Sequence, residues 1–129
     1  MRNIYTTVAV VFALFLGNTA FGQNNLEKVS NLLKNGDINN LTVQLDEKVE
    51  VSVLEADSYT KVEAKDMLDN FFSDKTMSLY VAIHKGNSGN NAYYQIGELR
   101  TEKETYRTYF YTKNIDGNFL VQELRIERI

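Results

Sequence analysis

Runs rich in β-branched and aromatic residues predict that the C-terminal part of the chain is built of β-strands. Four such runs follow one another: Met77–Lys85, Ala92–Thr101, Thr105–Lys113 and Phe119–Ile129. Short connections rich in Gly, Asn, Asp and Glu separate them, and connections of this length are typical of β-hairpins. We therefore expect neighbouring strands in this region to pair antiparallel.

Both faces of the first predicted strand carry apolar side chains. A period of two places one set on the same face, namely Tyr80, Ala82 and His84. It places a second set on the opposite face, namely Leu79, Val81 and Ile83. We therefore expect both faces of this strand to be at least partly covered.

Helical spacing characterises the region before these strands. The apolar positions of a first amphipathic helix are Leu26, Val29, Leu32 and Leu33, and Gly36 follows as a C-terminal stop. Asp37 is placed to cap a second helix. The apolar positions of this second helix are Ile38, Leu41 and Leu45. We expect it to end near Glu47.

One short strand and a third helix complete the pattern. The strand has alternating apolar positions at Val49, Val51 and Val53, and Ala56–Ser58 then has the composition of a turn. Thr60 and Glu63 have the spacing of a capping box, which marks a helix start. The apolar face of this helix contains Ala64, Met67, Leu68, Phe71 and Phe72. The whole order predicts an α+β domain with N-terminal helices packed on a curved, mostly antiparallel sheet.

The N-terminus has the pattern of a cleaved export signal. Arg2 is its only charge, an apolar run covers residues 8–16, and small residues precede a cut after Gly22. A membrane anchor is the alternative, but the run is shorter than the roughly 20 residues that span a bilayer. We expect residues 1–22 to be a signal peptide, residues 23–129 to be a single domain, and the mature protein to be periplasmic or secreted.

Composition excludes several kinds of chemistry. The chain has no Cys and one His, so disulfides, thiolate metal sites and cysteine nucleophiles are excluded and zinc is improbable. Residues 112–123 partly match a calcium loop, but predicted strands flank them, which favours an Asp-Gly hairpin. The net charge of −3 disfavours nucleic acid and anionic lipid as partners. We expect no metal and no cofactor.

The element order and several short segments resemble a family of small exported bacterial proteins of unknown function with a cone-shaped, nuclear transport factor two-like fold. The matching segments are Tyr59–Lys61 with Ala64, Phe71–Phe72, His84–Gly86, Tyr94–Leu99, Tyr106–Arg107 and Leu124–Glu127. The resemblance implies a sheet wrapped around helices, a pocket at the wide end of the cone and often a homodimer formed through the sheet. It implies no activity, because this fold carries both enzymes and binding modules.

The single histidine is the only catalytic candidate. His84 could act as a general acid or base, since an ordinary histidine titrates near neutral pH. The alternative, which we favour, is a strand-end histidine bonded to the backbone or to Tyr94, because the sequence assigns it no nucleophile and no carboxylate.

A larger set of residues could line a pocket: Tyr80, His84, Tyr94, Gly97, Arg107 and Arg125. Each has a structural alternative. The tyrosines could be cross-strand pairs or part of a dimer face, and Gly97 could mark a bulge or bend. The two arginines could pair with glutamates such as Glu98, Glu123 and Glu127 instead of binding an anionic ligand.

Two functional hypotheses follow. The leading one is an exported, non-catalytic binding or interaction module. In this hypothesis the protein is a homodimer that binds either a small apolar or amphipathic ligand or an envelope protein partner. The alternative is a small enzyme of the isomerase, dehydratase or hydrolase type, in which His84 is the general acid or base.

Overall fold

The computed structural model describes Gly22 and residues 24–129. The predicted signal peptide, residues 1–22, therefore lies outside the described residues except for Gly22, and export stays a prediction. No helix in the described part of the chain is long and apolar enough to cross a bilayer.

Three helices are described: α1 over residues 24–35, α2 at Ile38–Val43 and α3 at Lys61–Phe72. Both predicted caps are confirmed. The Asn40 N–H donates to the Asp37 carboxylate over 3.4 Å, and the Glu63 N–H donates to the Thr60 hydroxyl oxygen over 3.2 Å. These bonds satisfy amide groups that have no partner inside the first helical turn.

A six-stranded sheet combines two strands that precede α3 in the chain with four that follow it. Its strands are β1 Leu45–Val53, β2 Ala56–Ser58, β3 Leu79–Asn87, β4 Ala92–Arg100, β5 Thr105–Ile115 and β6 Asn118–Arg128. Their spatial order is β2-β1-β6-β5-β4-β3. The four C-terminal strands pair antiparallel, as predicted, and β1 joins β6 in parallel. The domain is therefore α+β, with a curved and mostly antiparallel sheet.

Two predicted boundaries are wrong. The helix expected to run to Glu47 ends at Val43, and Leu45 instead begins β1, where it pairs with Val121. The predicted turn at Ala56–Ser58 is strand β2, which pairs with β1. In both places the local sequence is compatible with either structure, and pairing with another strand decides between them.

The helices and one face of the sheet enclose the hydrophobic core. We call this face the inner face. Its fully buried aromatic residues are Tyr106 and Phe110, both 0% exposed. Phe71 of α3 packs edge-on against Tyr106, with ring centroids 5.1 Å apart. Large side chains thus fill the space between α3 and β5.

A bulge in β3 changes which side chains share a face. Ala82 pairs with Gly97, but His84 pairs with Ile96, so Ile83 is an additional residue. Tyr80 and Ala82 therefore lie on the inner face and His84 on the opposite one, which corrects the prediction that all three share a face. The bulge breaks the period of two that the prediction assumed.

Strand β3 keeps part of its apolar surface exposed. Leu79, Val81 and Ile83 are 42%, 36% and 51% exposed, whereas Tyr80 is half-buried. Within the described sheet β3 is an edge strand that pairs only with β4. Both faces of β3 are therefore partly covered, as expected, and apolar side chains remain accessible on this edge strand.

Candidate functional site

The face of the sheet opposite the helices, which we call the outer face, holds most of the candidate residues. On β4 the buried residues of the inner face alternate with half-buried ones that point outward. Strand pairing continues these positions across β5 and β6. The outer face between β3 and β6 comprises Val81, His84, Tyr94, Ile96, Glu98, Arg100, Arg107, Tyr109, Tyr111, Glu123, Arg125 and Glu127.

An open cleft of about 330 Å³ occupies the middle of the outer face. Its lining residues are Ile96, Arg107, Tyr109, Glu123, Arg125 and Glu127. Its lining residues belong to three rows of cross-strand neighbours, which pass through Arg107, Tyr109 and Tyr111. Its lining combines Ile96 and Tyr109 with four charged side chains, and such a mixture is typical of a surface that contacts another molecule.

Arg125 has the ion pair that the sequence predicts for it. Its Nε donates to Glu123 over 2.6 Å, and its guanidinium carbon lies 6.0 Å from the centre of the Tyr109 ring. The Glu123 carboxylate raises the pKa of Arg125 above its ordinary value. Burial raises the pKa of Tyr109, and the charge of Glu123 acts in the same direction while Arg125 opposes it.

Arg107 differs from its neighbours on the outer face. It is exposed, and strand pairing places it between Glu98 and Glu127. Glu98 is instead held by Arg100 over 2.8 Å. Among the described residues, none forms an ion pair with Arg107 or with Glu127. The ion pair predicted for Arg107 is therefore not found within this part of the chain.

His84 forms a hydrogen bond with Tyr94 on the same face, with 2.9 Å between His84 Nε2 and the tyrosine oxygen. The Tyr94 ring lies over Gly86, where an added Cβ would be 2.6 Å from ring atoms. The absence of a side chain at Gly86 therefore lets the ring reach across the strands to the histidine. This is the contact expected of a structural histidine, and His84 is exposed.

A polar network on the inner face was not predicted from the sequence. Gln95 is 1% exposed, and its amide nitrogen donates to Ser30 over 2.5 Å and to the Tyr80 oxygen over 2.7 Å. The buried Thr108 donates to the same tyrosine oxygen over 3.5 Å. No local signal in the sequence marks this network, because Gln95 shares a face of β4 with the buried Leu99 and that face is recognised as buried only once the fold is known.

The Tyr80 side chain packs against the backbone of Gly97. An added Cβ would collide with the tyrosine ring and would lie 2.9 Å from the Val81 carbonyl oxygen. The sequence predicts a bulge or bend at Gly97. A bulge lies next to this position but in the paired strand β3, directly after Ala82, the partner of Gly97. Gly97 itself keeps regular pairing with β5, and its role is to admit the Tyr80 side chain.

The structure divides the six predicted pocket residues between two surfaces. Tyr80 and Gly97 belong to the inner face. The other four belong to the outer face, namely His84, Tyr94, Arg107 and Arg125. They therefore do not line one common pocket. No group of three or more His, Cys, Asp or Glu side chains in the described residues could hold a metal ion.

Comparisons with known proteins agree with this architecture. A family model described as "Domain of unknown function (DUF4783)" matches residues 26–127. A DUF4783 family protein from Bacteroides uniformis is 21% identical, with a TM-score of 0.73 over 80% of this chain and 95% of that one. The corresponding values for a DUF4783 family protein from Bacteroides ovatus are 22%, 0.71, 78% and 92%.

A more distant structure shares the same fold. An NTF2-like protein of unknown function from Cytophaga hutchinsonii is 10% identical, with a TM-score of 0.60 over 84% of this chain and 89% of that one. No curated protein matches this sequence. The chain therefore belongs to the DUF4783 family of unknown function, and its fold is NTF2-like.

Proposed function

We propose that this protein is an exported, non-catalytic interaction module that binds a second copy of itself through the outer face of its sheet. The observation that carries the proposal is the group of exposed apolar residues on β3. Leu79, Val81 and Ile83 are 42%, 36% and 51% exposed. Exposed apolar side chains on a strand next to an open cleft are typical of a protein contact surface.

The packing of the inner face supports a surface role over an internal ligand pocket. Tyr106 and Phe110 are both 0% exposed and contribute to the core. Gln95 on the same face has its amide nitrogen bonded to Ser30 and Tyr80. By contrast, His84 and Arg107 are exposed on the outer face. The groups best able to contact another molecule are therefore on the outside of the cone.

The charges of the outer face support a second copy as the partner. Its three arginines and three glutamates balance and are interspersed: Arg100, Arg107, Arg125, Glu98, Glu123 and Glu127. A two-fold dimer places the same patch on both sides of the contact. A patch of one sign would then repel itself, whereas a balanced patch can be complementary to its own copy.

The mass of the mature chain in solution tests this proposal. Size-exclusion chromatography with light scattering is expected to show a dimer for residues 23–129. Val81→Asp would place a carboxylate in the contact and is expected to shift the protein to monomer. Val62→Asp is the matched control, because Val62 is 74% exposed on α3 and the same substitution there should leave the dimer unchanged.

A strictly monomeric wild-type protein, or a dimer that both substitutions leave intact, would overturn this proposal. Export is tested separately by N-terminal sequencing of the protein recovered outside the cytoplasm. Sequencing is expected to begin at Gln23, and an intact N-terminus on a cytoplasmic protein would contradict export.

The exposure of the His84 imidazole beside the Tyr94 phenol supports a second candidate function. In this alternative the protein is a small enzyme in which the histidine is a general acid or base and the phenol assists it. A His84→Gln variant that abolishes an activity found for the wild type while it remains folded would support the enzyme. A variant that loses stability without loss of activity per folded molecule would make His84 structural.

A further inference from the structure

The charges on the outer face form ion pairs within the described chain, with two exceptions. Arg100 pairs with Glu98 over 2.8 Å, and Arg125 pairs with Glu123. The exceptions are Arg107 and Glu127, for which the described residues supply no ion-pair partner within 4.0 Å. One unpaired positive charge and one unpaired negative charge therefore stand side by side on β5 and β6.

Arg107 and Glu127 lie where the proposed dimer contact would cover them. Arg107 and Glu127 both line the central cleft, and both are exposed. In a lone molecule water solvates them at little cost. In a dimer that covers the cleft they would lose this water, and burial of an unpaired charge is strongly unfavourable. A stable contact through this face therefore requires an opposite charge for each of them.

A two-fold axis supplies both partners at once. If Arg107 of one copy meets Glu127 of the other, symmetry requires that Glu127 of the first copy meets Arg107 of the second. The glutamates at positions 98 and 123 are less suitable partners, because each is already held by an arginine of its own chain. Arginine also suits such a contact, since its planar fork can donate two hydrogen bonds to one carboxylate.

We propose that Arg107 and Glu127 form reciprocal ion pairs between the two copies of the dimer and thereby set its register. This inference rests on the proposed function, because it requires contact through the outer face. The competing arrangement is an ion pair within one chain, since the two residues are cross-strand partners. A rotation of either side chain could produce that pair, and a mixing experiment separates the two arrangements.

The experiment uses Arg107→Glu and Glu127→Arg as single variants of residues 23–129. Each variant alone places like charges against each other across the axis, so its dimer dissociation constant is expected to rise at least about tenfold. In an equimolar mixture, one chain carries two acidic residues at these positions and the other carries two basic residues. Only pairs between chains can then form, and native mass spectrometry is expected to show predominantly heterodimer.

Lys65→Glu and Asp69→Lys provide the matched control. These residues form an ion pair of 2.7 Å along α3, within one chain and away from the outer face. Each reversal is expected to leave the dimer dissociation constant within about twofold of wild type. Their mixture should form homodimers and heterodimers in the statistical ratio.

The outcomes distinguish this inference from the function on which it rests. A wild-type dimer that Arg107→Glu leaves unchanged would overturn the reciprocal pair and keep the dimer. A mixture in which both single variants stay monomeric would also overturn it, because opposite charges would then fail to restore contact. A monomeric wild-type protein would overturn both the pair and the proposed dimer.

Discussion

The two faces of the sheet use similar residue types for different purposes. Strand β5 presents Tyr106 and Phe110 inward at 0% exposure and Arg107 and Tyr109 outward, where they remain accessible. The inner aromatic rings are fixed by α3 and by neighbouring strands. The outer residues border an open cleft and form a short ladder of charges. Residue type alone therefore does not tell which aromatic side chains of this strand stabilise the fold and which are available for contact.

The largest expected effect compares neighbouring aromatic residues of β5. Phe110→Ala removes a fully buried ring from the core, and the free energy of unfolding is expected to fall by about 3–5 kcal/mol. Tyr109→Ala, on the outer face, is expected to lower it by about 1 kcal/mol or less. Urea unfolding at a protein concentration that keeps the chain monomeric measures both. Equal losses would mean that the outer face is part of the core.

A second comparison uses one glycine on each face. In Gly97→Ala the new methyl group would meet the Tyr80 ring and the Val81 carbonyl oxygen, and the free energy of unfolding is expected to fall by roughly 1–3 kcal/mol. In Gly86→Ala the nearest contacts of the new methyl group are atoms of the Tyr94 side chain. That ring lies on the outer face and can turn away, so a smaller loss is expected. Unfolding midpoints measure both variants, and the reverse order would contradict this account.

The smallest expected effect is a change in how the free energy of unfolding depends on pH. Burial raises the pKa of Tyr106 above 10.0, and its hydrogen bond to Glu104 acts in the same direction. The folded protein therefore retains the phenol proton longer than the unfolded chain does. The protonated phenol therefore contributes fully to the free energy of unfolding below pH 10, and this contribution is lost as the pH rises through the pKa of Tyr106 in the folded state. Urea midpoints at pH 8 and pH 11 should differ less in Tyr106→Phe than in wild type.

Tyr109 provides the counterpart on the outer face. Its pKa is also raised, chiefly by burial. If the proposed dimer covers this residue, the effect of Tyr109→Phe on the pH dependence should increase with protein concentration, whereas that of Tyr106→Phe should not. An effect of Tyr109→Phe that is independent of concentration would argue against a dimer that covers the cleft.

The candidate site was predictable in part. The sequence indicates Arg107, Arg125 and their glutamate neighbours, because charged residues inside strands need water or a partner. It also indicates the contact between His84 and Tyr94. It gave no indication of the Gln95 network, since a glutamine in a strand is compatible with either face. The cleft itself depends on the register of β4, β5 and β6, which no local pattern specifies.

The sequence by itself determined that there are helices in these regions, the caps of α2 and α3, and the four antiparallel C-terminal strands, because periodicity and capping act between residues close together in the chain. Tertiary structure decided the remaining features. Leu45 became a strand residue through pairing with β6, and the bulge at Ile83 moved His84 to the outer face. Strand partners and bulges depend on contacts between distant residues, and those contacts determine which face of each strand is buried and which remains available for binding.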